Sequence, residues 1–113
     1  MAHPEDPLRE GVKAVSLVRS ACLRPTMYTL SGSFAEVVCF LEGFFSGEAR
    51  AGVPSPRSEA WSRLGDLLRR ELADGSEGGG WQAGFIALHR RCPDDRGALD
   101  RLTERYDETA ADA

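Results

Sequence analysis

The chain has 113 residues, 14 basic against 18 acidic, a formal net charge of −4, and 42% apolar residues. That length suits one domain around one core. The charge lacks the basic excess of a nucleic-acid binder, and no apolar run approaches the about 20 residues that span a bilayer.

The opening stretch, MAHPEDPLRE, is acidic and polar, unlike a secretory signal. Cys22, Cys39 and Cys92 are odd in number and lack C-x-x-C spacing, so reduced thiols and a cytoplasmic location are expected. Lys13 is the sole lysine among many arginines, a bias that points to a GC-rich bacterial genome.

Residues 1–7, with two prolines, read as a loose tail. Leu8, Val12, Val15, Val18 and Cys22 recur every three or four positions and predict a helix over 8–23. Arg24-Pro25 ends it, because a residue before proline avoids the helical region. After the loop TMYTLSGS, Ser33 and Glu36 form the S-x-x-E capping box. Phe34, Val37, Val38, Leu41, Phe44 and Phe45 then trace one helical face, with all three phenylalanines directed inward. Gly47 suits the end of this helix.

Ser55-Pro56 reads as a cap followed by proline in the first turn, with Ser58 as a competing start. Trp61, Leu64, Leu67, Leu68 and Leu72 form the third stripe. The stretch ADGSEGGG at 73–80 breaks the chain and is expected to be a mobile loop. A phosphate cradle there lacks the following G-K-[ST]. Trp81, Phe85, Leu88 and Cys92 predict a short fourth helix, with Ile86 and His89 on its flank. Asp94 or Asp95 caps a fifth, whose inward residues are Ala98, Leu99, Leu102 and Tyr106, and residues 107–113 are expected to fray. The fold expected is a single all-α domain over 1–113, a bundle of four or five helices.

Chemistry-bearing residues are few. His3 and His89 lie far apart, and Cys92 adds one thiol, so neither a metal site nor a cofactor is expected. Cys92 with His89 as a nucleophile–base pair lacks an orienting group and is followed by Pro93. Capping accounts for Asp94-Asp95, and capping and solvent exposure account for Glu36 and Glu42. No catalytic residue is assigned. The binding candidates are Arg24, Met27, Tyr28 and His89. In the Arg24 loop, Pro25 fixes one φ, while Met27 and Tyr28 supply adaptable, amphipathic surface. Packing is the favoured account, with Met27 and Tyr28 plugging one end of the bundle and Arg24 bonding the last carbonyls of the first helix. The alternative is a recognition loop built from residue types common at interfaces.

Arg24-Pro25-x-Met27-Tyr28 resembles the R-P-G-M-Y segment of type II topoisomerase and Hsp90-like ATPase domains. It departs at Thr26, and the chain is too short and lacks the D-x-G-x-G loop, so ATP binding is rejected. A longer pattern also includes Phe40, Leu41, Gly43, Phe44, Gly80 and Trp81. It resembles small uncharacterised bacterial proteins with an R-P-x-M-Y loop and an F-L-x-G-[FY] helix, some of them tied to toxin–immunity systems. This resemblance implies no catalytic residues.

The function expected is therefore non-enzymatic binding of a protein partner, concretely as an immunity protein or antitoxin-like inhibitor. The negative charge suits a basic partner. A small ligand-binding or enzyme-associated helical protein is the alternative, and self-association is a third. Neither nucleic acid nor membrane is an expected partner.

Overall fold

The computed structural model describes residues 17–53 and 55–111, which fold into an all-α bundle of five helices, with no strand among the described residues. Helix α1 is described over 17–23. Its expected beginning at 8–16, and the tail at 1–7, lie outside the described residues. The remaining helices are α2 (Phe34–Arg50), α3 (Pro56–Leu72), α4 (Ala83–Arg90) and α5 (Asp95–Ala111). Among the described residues, no helix is long and apolar enough to cross a membrane.

Local chemistry sets the helix starts. The Ser33 hydroxyl accepts the Glu36 amide at 3.2 Å. The expected return bond goes elsewhere: Glu36 accepts both the amide and the hydroxyl of Ser31, each at 2.7 Å. Its carboxyl is held below the ordinary range mainly by the Ser31 hydroxyl. At α3, Ser55 caps and Ser58 completes the reciprocal box, so the two candidate starts are parts of one cap. At α5, Asp94 is the cap, accepting the Gly97 amide at 2.8 Å. That leaves the Asp95 carboxylate free to reach other helices.

Several boundaries differ from the sequence expectation. Helix α2 passes Gly47 and runs to Arg50; the glycine with positive φ that follows is Gly52, at +75°. Helix α4 starts at Ala83, which leaves Trp81 outside it and exposed. Helix α5 continues to Ala111, into the stretch expected to fray, of which residues 112–113 lie outside the described residues. Thr109 is buried there, and Arg63 from α3 donates to its carbonyl at 3.4 Å. The glycine-rich loop is pinned rather than open. Glu77 accepts the amides of Asp74 and Gly75, Asp74 accepts the amide and hydroxyl of Ser76, and Arg90 donates to that hydroxyl.

The core lies between all five helices. Val18 and Cys22 of α1, Leu41 and Phe45 of α2, Leu64 and Leu68 of α3, Phe85 and Leu88 of α4, and Leu99, Leu102 and Tyr106 of α5 pack in one cluster. Helix α3 is central, making the most extensive contacts with α4 and α5 and also touching α2. At the α3–α4 crossing, a Cβ on Gly84 would sit 2.5 Å from the Arg69 amide nitrogen, so the two backbones meet at a contact only glycine permits.

Candidate functional site

The inward face of α2 is flanked by two different surfaces. Phe34, Val37, Val38, Leu41 and Phe45 are buried. Phe44, expected inside, is 37% exposed. At about 100° per residue, Phe40 and Phe44 turn to one side of the buried stripe, while Ala35, Cys39 and Glu42 turn to the other.

The first flank carries the Arg24 loop. The Tyr28 ring meets Phe40 at 5.4 Å and Phe40 meets Phe44 at 6.5 Å, with the Arg57 guanidinium over Phe44. Met27 is 70% exposed and Leu30 97% exposed, so Met27 does not plug the bundle. Arg24 bonds the end of α1 through its backbone, its amide donating to the Ser20 carbonyl at 2.9 Å, while the Cys22 carbonyl accepts Arg96 from α5. A short 3-10 turn over Pro25–Met27 shapes the loop. The Thr29 hydroxyl secures it by donating to the Pro25 carbonyl while accepting the Gly32 amide.

The second flank is concave. Phe34, Ala35, Val38 and Cys39 of α2 face Trp81, Gln82, Phe85, Ile86 and His89 across an apolar groove of about 260 Å³. Trp81 and Phe85 continue into a narrower, polar cleft with Glu42, Trp61, Gly65, Asp66 and Arg69. Trp61 then borders a third hollow with Ser46, Ala49, Ser58 and Glu59. The three hollows follow one stripe of α2 from Ala35 to Ala49, about 21 Å at 1.5 Å per residue.

Glu42 lines the middle of these hollows. It is half-buried, and its carboxylate accepts the Trp61 indole N–H and the Ser46 hydroxyl, both at 2.9 Å. The expectation of a plainly solvated Glu42 is therefore corrected. Among the described residues no cation lies within ion-pair distance of it; the nearby Asp66 is paired with Arg69 at 3.3 Å.

His89 lines the apolar groove. Its ring stacks on Phe34 at 5.0 Å and is nearly parallel to it, and its Nε2 lies 2.7 Å from Asp95 Oδ1. The other Asp95 oxygen accepts the Phe34 amide at 3.0 Å, one of the orphan donors at the start of α2. That backbone bond, then His89, keeps the Asp95 carboxyl below its ordinary range. Asp95 thus ties α2, α4 and α5 together at the mouth of the groove.

The four residues singled out in the sequence therefore divide. Arg24, Met27 and Tyr28 stand in the loop on the first flank, and His89 stands in the groove on the second. The binding candidates read from the sequence do not include Trp81, Cys39 or Glu42. The available signal was a second stripe of α2, Ala35, Cys39, Glu42, Ser46 and Ala49, at helical spacing beside the aromatic one. Among the described residues, no group of three or more His, Cys, Asp or Glu side chains is placed to hold a metal ion. Compared with known proteins, the chain matches no family model, and neither the curated proteins nor the solved structures provide a significant match.

Proposed function

We propose that this chain is a non-enzymatic protein-binding domain, and that the groove between α2 and α4 is its docking surface. The observation that carries this reading is the exposed aromatic wall of the groove. Trp81 is 44% exposed although Phe85 packs edge-on against it at 6.1 Å. Large aromatic residues set in concave, partly desolvated surface are the usual anchors of protein interfaces. The pattern that begins at Arg24-Pro25 and the net charge of −4 suggest a concrete version, an immunity-type inhibitor that covers a basic partner.

A second reading, a small-ligand site, draws on the convergence of Cys39, His89 and apolar wall in one hollow. The volume of about 260 Å³ falls below the about 300–1,000 Å³ typical of such sites. Protein docking therefore accounts for more of the geometry.

Affinity purification from the native host, with neighbouring gene products present, is expected to return a stoichiometric protein partner. Its capture should be lost in Trp81→Ser and retained in Met27→Ser. Recovery of no partner, or capture indifferent to Trp81, overturns the assignment.

A further inference from the structure

We infer that the occupant of the groove is an amphipathic helix of a partner protein that carries an arginine or lysine placed to pair with Glu42. This rests on the docking reading above and adds the chemistry of the partner.

Separate hollows of about 260, 120 and 200 Å³ lie beside α2 residues that span about 21 Å along the helix. A helix presents large side chains every three or four residues along one face, which matches a row of separate hollows. The hollow beside Phe34 and Trp81 is the most apolar and takes the anchor residue. Glu42 stands four positions beyond Val38, about 6 Å along the axis, so the cation belongs about one turn from that anchor.

Any occupant that covers the cleft strips water from a carboxylate that, among the described residues, has only neutral donors. A buried charge without a counter-charge is strongly unfavourable, whereas a cation brought by the partner compensates it. An acidic or wholly apolar helix leaves Glu42 uncompensated, because Arg69, which lines the same cleft, is paired with Asp66.

A second copy of this chain does not meet these requirements. A two-fold contact through the same patch sets groove against groove. Two concave surfaces leave a void, and each brings a Glu42 rather than a cation.

The test is selection from a library of helical peptides with a fixed apolar stripe and randomised flanking positions, using the full chain as bait. Selected peptides are then measured against wild type, Glu42→Gln and Cys39→Trp. Glutamine retains an acceptor for Trp61, and position 39 is exposed, so circular dichroism should show both variants folded. If Cys39→Trp misfolds, Ala35→Trp fills the same hollow from another exposed position. The expected peptides carry Arg or Lys three to four residues from a large apolar residue. They should lose about tenfold or more in affinity for Glu42→Gln and all measurable binding to the groove-filled variant. Peptides that lack the basic residue, or that bind Glu42→Gln equally while the filled groove still blocks them, overturn the charge assignment and leave docking standing. No selected peptide, or binding indifferent to the filled groove, overturns both.

Discussion

Asp95 shows how much one side chain decides in this molecule. It is the first residue of α5, beside a cap that Asp94 already provides, so its carboxylate is spare. That carboxylate satisfies the first amide of α2 and holds His89 against Phe34. The three cysteines show the same dependence on place. Cys22 is 1% exposed, and burial pushes its thiol up to about 11. Cys39 lies open on the groove, and Cys92 is intermediate. Because the thiolate is the reactive species, Cys39 should react with a thiol reagent in the folded protein at neutral pH. Cys22 should react only on unfolding, and peptide mapping of the labelled sites checks the order. Labelling of Cys22 at the rate of Cys39 contradicts this packing.

At the scale of elements, arginines and acids from one helix finish the ends of others. Arg96 of α5 donates to the last turn of α1, and Arg91, just after α4, donates to the Leu72 carbonyl of α3 at 3.1 Å. Orphan carbonyls at helix ends need such partners, and cations there also suit the helix dipole. The start of α2 is the acidic counterpart. Asp95 and Glu36 are both held below the ordinary carboxyl range, by the Phe34 amide and the Ser31 hydroxyl respectively. Glu48, paired with Arg57 at 2.8 Å, shifts the same way. A lowered folded value means the ionised form favours the fold. That stabilisation is present above the unfolded values, about 4, and disappears as pH falls through the folded ones. The thermal midpoint should therefore drop between about pH 5 and 3. Asp95→Asn should lower the midpoint at pH 7 and lessen the acid drop, without removing it, since Glu36 and Glu48 still titrate. Circular-dichroism melts across that range check this, and an unchanged acid drop in Asp95→Asn refutes it.

For the whole molecule, the core depends on the dry packing of Tyr106 with its neighbours. The ring is 1% exposed and stacks with Phe45 at 6.5 Å, and its hydroxyl donates to the Arg57 carbonyl at 3.2 Å. Burial pushes this phenol up to about 12. The sign is opposite to that of the carboxylates. The neutral forms of Tyr106 and Cys22 favour the fold, fully so below their unfolded values of about 10 and 8.5. The benefit fades as pH rises toward their folded values. Stability should fall above about pH 9. Tyr106→Phe should cost about 1 kcal/mol at neutral pH through the lost hydrogen bond and soften the alkaline fall. Denaturant unfolding of both proteins at pH 7 and 10 measures the two effects, and an alkaline fall of equal size in both refutes the assignment.

The chain by itself determined much of this molecule: the all-α class, the caps at Ser33 and Ser55, a cap at either Asp94 or Asp95, and inward stripes such as Ala98, Leu99, Leu102 and Tyr106. Those features are local, because caps act within three residues and helical faces repeat every 3.6. Tertiary structure alone decided the rest. Asp95 meets Phe34 across 61 positions, and Glu42 meets Trp61 across 19. Trp81 falls just outside α4, and Phe44 just off the core. Each of these outcomes depends on which helices lie side by side and at what rotation, and no local pattern encodes that. The groove, with its half-buried carboxylate, exists only once α2, α3 and α4 have packed.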